Sequence, residues 1–208
     1  YGKDVQMMFE MPLAQSIVKH LSENLSPLVL SFLDPMRAQY ADSDLHLCVH
    51  VREGNNETGD WQKKQWRHID LTAVLNLTLG SMRNLTNDRE DAEKVSLFVA
   101  SDTMKARAWF EENAPPEWHV VKPPKEVPRP DAGVWFGEYL SATNSILSRD
   151  RLNEAMAEAV ADVFALGECD ALFVPNYSSF SIVGIMLARA ERKEVLFHRF
   201  REYIRYPE

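Results

Sequence analysis

The chain has 208 residues, 45% of them hydrophobic, enough to bury one sizeable core and at most a minor second unit. Its formal charge of -8, from 31 acidic against 23 basic residues, speaks against a general nucleic-acid binder, because phosphate backbones are held by clustered Lys and Arg. No apolar run approaches the roughly 20 residues that cross a bilayer and the amino end lacks a signal-peptide pattern, so the chain reads as soluble, with any membrane anchor outside it.

Residues 1–20 carry mixed signals without a clean period and read as a lead-in to one domain over 21–208. From Leu21 to about Ala41 the apolar positions Leu25, Leu28, Val29, Phe32, Leu33, Met36 and Tyr40 recur every three or four residues. That spacing predicts a buried helical face, kinked at Pro35. The stretch from Leu45 to Val51, short and rich in branched residues, predicts a buried strand, and the polar, glycine-bearing Arg52 to Asp60 is the loop at its carboxyl end. Helical spacing returns from Leu71 to about Arg83, with a charged turn from Asn87 to Asp91. A second strand, Val95 to Ala100, closes in Ser101, Asp102 and Thr103 and enters a helix from Met104 to Asn113 that Pro115 and Pro116 stop. His119 to Val121 predicts a short third strand. Lys122 to Pro130 holds four prolines in nine residues and reads as an extended loop, with helix resuming after Ser148. A helix from Leu152 to Leu166, a strand at 171–175, a serine-rich turn and a helix from about Ser181 to Arg192 follow, then an aromatic, partly basic tail. Strand and helix alternate with connections too long for hairpins. The fold class is therefore α/β, a Rossmann-like parallel sheet flanked by helices.

Cys48 and Cys169 fall in or just before buried strands, where a thiol behaves as a small hydrophobe. They read as two free thiols that pair only if their strands are neighbours, and they lack zinc spacing. Asn24, Asn56, Asn76, Asn84 and Asn176 each begin a glycosylation sequon. Ten asparagines, at a Ser plus Thr frequency of 20 in 208, predict about one such site by chance. The excess points to a secretory lumen, Golgi or endoplasmic reticulum, with the cytoplasm as the alternative. Asn176 is set aside because a glycan there would obstruct the ligand loop.

Parallel sheets gather their strand ends at one crevice. Three ends bear polar groups: His50 and Arg52 after the first strand, Ser101 and Asp102 after the second, and Asn176 to Ser181 after the last. A guanidinium suits a pyrophosphate, a carboxylate suits ribose or base donors, and the amides opening a helix, with Ser178, Ser179 and Ser181 beside them, suit a further phosphate. Each has a plainer reading: a surface ion pair for Arg52, a packed histidine for His50, helix N-caps for the serines and Asp102, a solvent-facing carboxylate for Asp162. Trp135 and Phe136 offer a stacking surface for a nucleobase or sugar. His20, His46, His68, His119 and His198 show no ligand spacing.

The order His-x-Arg after a first strand, Ala-Ser-Asp after a second, an Asp-bearing helix and a strand closing in Ser-Ser resembles the GDP-fucose-binding half of the fucosyltransferase superfamily of core-fucose, peptide-O-fucose and nodulation-factor enzymes. The similarity runs from about Leu21 to Arg189. It implies one Rossmann-like half of a GT-B enzyme, inverting and metal-independent, with GDP-fucose as donor substrate, a glycan or glycoprotein acceptor, and no cofactor. By resemblance, Arg52 reaches the β-phosphate and stabilises the leaving diphosphate, its planar fork binding two oxygens at once. His50 helps hold the nucleotide, Asp102 meets the guanine or ribose, Asp162 the base edge or its loop, and Ser178, Ser179 and the Phe180 amide close on the pyrophosphate. Family members follow the arginine with a second basic residue and an Asp, whereas this chain reads Arg52-Glu53-Gly54-Asn55 and reaches Gly59-Asp60-Trp61 only later. Glu53 or Asp60 is the candidate general base. A non-catalytic nucleotide-sugar-binding module of the same fold, or a GT-B transferase for another donor, is the alternative.

Overall fold

The computed structural model describes residues 12–52, 71–89, 91–125, 127, 149–175, 178–191 and 196–200. Helix α1 (Pro12–Glu23) and helix α2 (Pro27–Tyr40) precede strand β1 (Leu45–Val51), then come α3 (Leu71–Asn87), β2 (Val95–Ser101), α4 (Met104–Asn113), β3 (His119–Val121), α5 (Arg149–Gly167), β4 (Ala171–Pro175), α6 (Ser179–Glu191) and β5 (Leu196–Phe200). The expected single helix after Leu21 is two. Ser26 and Pro27 form an N-cap and first-turn pair, the Ser26 hydroxyl accepting from the Val29 amide, so the chain restarts a helix there, and α1 occupies much of the presumed lead-in. Pro35 lies inside α2, which continues through it.

The five strands are all parallel, in the order β3-β2-β1-β4-β5. The aromatic tail supplies the edge strand β5, which the sequence reading did not assign. Every residue of β1 and β2 is buried, because helices cover both faces. Leu45, Leu47, Val49 and Val51 pack with α3 (Leu75, Leu79, Met82) and α4 (Ala106, Phe110). Cys48 packs on the other side with Phe32, Leu33 and Met36 of α2 and with α5 and α6. Each fully buried Leu or Phe contributes about 1.5–3 kcal/mol.

Small residues set the spacing of α5 and α6. Ala155, Ala157, Ala161 and Ala165 are buried. A Cβ at Gly167 would stand 2.5 Å from Leu187 Cβ, and one at Gly184 3.0 Å from Leu166 Cβ.

Cys48 and Cys169 are joined in a disulfide, which corrects the expectation of two free thiols. The reason is strand order: β1 and β4 are adjacent, and the chain already pairs with β1 just before β4, Asp170 N donating to His46 O at 2.8 Å and His46 N to Asp170 Oδ2 at 2.8 Å. The two Cα atoms stand 5.8 Å apart, within normal bridging reach. Nearby, Glu168 binds the Arg37 guanidinium and accepts from the Tyr40 hydroxyl, fastening the end of α5 to α2. Among the described residues no helix is long and apolar enough to cross a membrane.

Candidate functional site

After β1 the chain crosses to β2 on one side, whereas β4 joins on the other, so the crevice at the carboxyl ends of β1 and β4 is the sheet's switch point. The residues that end β1 therefore set the chemistry there. Register pairs Val51 with Ser101, so the next residues, Arg52 and Asp102, meet beyond the last rung. Arg52 Nη1 lies 3.2 Å from Asp102 Oδ2; the arginine side chain is 25% exposed and the aspartate 7%. A charged group with an open face and one near-buried partner can take an anion without losing its anchor. Asp102 leaves the N-cap position of α4 to Thr103, whose amide donates to Ser101 Oγ at 3.2 Å.

His50 points to the opposite face from Val49 and Val51, as strand alternation requires, and meets the start of α6. Its Nδ1 lies 2.6 Å from Ser181 Oγ, and its ring sits 4.9 Å from that of Phe180. Burial, and then the neighbouring positive charge of Arg52, pull the His50 pKa down to about 3, so the ring is neutral at pH 7. The first helical bond of α6 runs from Ile182 N to Ser178 O. The amides of Ser179, Phe180 and Ser181 thus belong to the turn that an α-helix leaves without internal acceptors, and the 13-residue helix adds its dipole. His50 fixes this turn beside β1, two residues from Arg52. The structure therefore brings His50, Arg52, Asp102, Ser178 and the opening of α6 with Phe180 to one edge.

Asp162 stands in a different group. Arg107 of α4 donates from Nε to Val99 O (3.0 Å), from Nη1 to Glu158 Oε1 (3.0 Å) and from Nη2 to Asp162 Oδ2 (2.7 Å). Strand β3 ends opposite Phe98, so the guanidinium continues the rung at Val99 where the strand has run out. All three side chains are buried. Burial alone would lower the arginine's pKa, but the two carboxylates outweigh it and raise it. Arg107 and Glu158 were not picked from the sequence, and Ser181 was noted only as a neighbour of the amides. The signal for the first two was present: Glu158 and Asp162, one turn apart, share α5 with the buried alanines, so both carboxylates face inward and require a cation.

Glu53, Asp60, Trp135, Phe136 and Asn176 lie outside the described residues, as do the sequon at Asn56 and the side chain of Ser179. Among the described residues the group with metal-ligand donors is His46, Cys48 and Cys169. Two of its three donors are joined as a disulfide and present no thiolate, while His46 stacks on Tyr40 and has its Nδ1 2.7 Å from Ser96 Oγ.

No protein-family model matches the chain, and no curated protein matches it in sequence. In fold it is similar to the NodZ α-1,6-fucosyltransferase in a crystal soaked with GDP-fucose, with a TM-score of 0.50 and 16% identity over 79% of this chain and 43% of that one. NodZ from Bradyrhizobium gives 0.46 and 14% identity over 77% and 42%. A mutant of Arabidopsis thaliana FUT1 in complex with GDP gives 0.44 and 12% over 78% and 31%. The parallel α/β fold expected from the sequence, and its likeness to the fucosyltransferase fold, are thus both present. The chain spans less than half the length of these enzymes.

Proposed function

We propose that this chain is the donor-binding half of an inverting, metal-independent fucosyltransferase that takes fucose from GDP-fucose to a hydroxyl of a glycan or protein. The observation that carries the reading is Arg52: a partly exposed guanidinium at the switch point, paired with Asp102 and two residues along the chain from His50, which meets Ser181 in the first turn of α6. The diphosphate of the donor has two anionic sites to fill, and this edge offers a fork and a helix start. Asp102 anchors Arg52 and leaves its open face to the diphosphate, and neutral His50 keeps the α6 turn in place without adding a charge of its own.

In the transfer, the acceptor oxygen forms a bond to the fucose anomeric carbon while the bond from that carbon to the β-phosphate oxygen breaks. The acceptor's proton passes to a carboxylate, for which Glu53 or Asp60 is the candidate, and GDP leaves with the bonding pair. Arg52 stabilises the charge that grows on the leaving phosphate, an interaction stronger in the transition state than before it. The acceptor site falls to the part of such an enzyme that this chain does not span. The test is thermal unfolding with nucleotides: GDP raises Tm more than equal concentrations of UDP or ADP, since a ligand that binds only the folded state stabilises it by RT ln(1 + [L]/Kd). Equal shifts would remove the guanine assignment.

A further inference from the structure

We propose that Asn24, Asn76 and Asn84 carry N-linked glycans and that the chain matures in the oxidising lumen where such glycans are attached. The inference does not depend on the reaction proposed above. All three sequon asparagines are exposed in the folded chain. Asn24 lies in the break between α1 and α2, and Asn76 and Asn84 stand on α3 away from its buried stripe of Leu75, Thr78, Leu79 and Met82, eight residues and about 12 Å apart along the axis.

The folded state has room for the sugar but not for the attachment. Thr78 Oγ1 donates to Val74 O, Thr86 Oγ1 to Met82 O, and the Ser26 hydroxyl caps α2, so each sequon hydroxyl is engaged once its helix forms. Transfer therefore precedes folding, on the extended chain. There the asparagine Nδ2 attacks the anomeric carbon of an oligosaccharide carried on a lipid diphosphate. The bond from that carbon to the diphosphate breaks, one amide proton goes to a base of the transferring enzyme, and the lipid diphosphate departs. A glycosylated amide keeps one N–H, which suffices for the bond Asn76 donates to Thr72 O and for the shorter of the two Asn24 Nδ2 contacts, at 2.8 Å to His20 O, while the one at 3.4 Å to His20 Nδ1 is given up.

Two further observations point the same way. The Cys48–Cys169 bridge belongs to a compartment that keeps cysteines oxidised, which is where N-glycans are added. Large apolar side chains also stand exposed beside the sequons: Leu21 and Leu28 within four residues of Asn24, and Leu77, 53% exposed, next to Asn76. A glycan would shield that surface. Because α3 runs back against the strand direction, Asn84 near its end lies toward the amino edge of the sheet, away from the Arg52 crevice.

The experiment uses protein isolated from the cells that make it, with thiols blocked before unfolding. Peptides are treated with a peptide-N-glycosidase in heavy-oxygen water and sequenced by mass spectrometry. The expected result is heavy-oxygen deamidation at Asn24, Asn76 and Asn84, none at the exposed non-sequon residues Asn113 and Asn153, and no blocking group on Cys48 or Cys169. Unmodified asparagine at two or more of the three sequons, or blocking groups on both cysteines, overturns the proposal. Asn84→Gln should lose the mass of one glycan and keep the others; an unchanged glycan mass also overturns it.

Discussion

Two arginines at the carboxyl end of the sheet do opposite work. Arg107 is buried and each of its three nitrogens donates, to a strand carbonyl on one side and two helix carboxylates on the other. Arg52 keeps a quarter of its side chain in solvent and meets Asp102. A guanidinium buried between two carboxylates stabilises the fold and offers no open face to a ligand. One that is partly exposed and, among the described residues, paired with one carboxylate can turn its fork to an incoming anion. The difference is one of partner number and exposure, so stability and ligand affinity should respond to the two residues in opposite ways.

The largest stability effect belongs to Arg107. Arg107→Met leaves Glu158 and Asp162 as buried charges without their cation and should cost about 3–5 kcal/mol, a fall in Tm on the order of 10 °C by calorimetry. Adding Glu158→Gln and Asp162→Asn to that variant should recover much of the loss. If Arg107→Met alone unfolds at the parent temperature, the distinction between the two arginines fails. Opening the Cys48–Cys169 bridge, which closes a loop of 121 residues, should cost about 2–4 kcal/mol in denaturant titrations of Cys48→Ala/Cys169→Ala. It does not touch the crevice, so GDP affinity should not change.

His50 adds a pH dependence to the Arg52 side of the comparison. Its folded pKa, about 3, lies below its unfolded value of 6.5, so the unfolded chain binds the extra proton between those values. Stability therefore falls as pH drops through that window, by about 2 kcal/mol between pH 7 and pH 5. His50→Gln should flatten this part of the unfolding free-energy profile; a profile unchanged by the substitution would show that His50 is not held neutral. Gly167→Ala, which forces a methyl against Leu187 where α5 and α6 touch, should cost about 1–3 kcal/mol in chemical denaturation while sparing both arginines.

The layered fold was legible because strand and helix periods are local properties of the chain. Leu45 to Val51 and Val95 to Ala100 read as buried strands from their short, branched apolar runs, the second extending one residue further to Ser101, and Ser26-Pro27 carried a helix restart in plain view that the longer apolar period masked. Strand order is not local. The neighbourhood of β1 and β4, and with it the disulfide, follows from crossovers that no short window contains. That His50, Arg52 and Asp102 gather at one edge of the sheet was legible, because each ends or follows a strand. The partners were less so: that Asp102 meets Arg52 and Asp162 meets Arg107 depends on register and on where β3 stops.

The central claim is that Arg52 is a ligand-facing cation rather than a structural one. Its most direct test is a pair of numbers on Arg52→Ala: the dissociation constant for GDP by calorimetry and the free energy of unfolding. The account predicts a roughly ten- to hundredfold weaker GDP complex, the loss of a charged hydrogen bond, with unfolding free energy changed by less than about 1 kcal/mol. GDP affinity equal to the parent's, with stability lost instead, would contradict it.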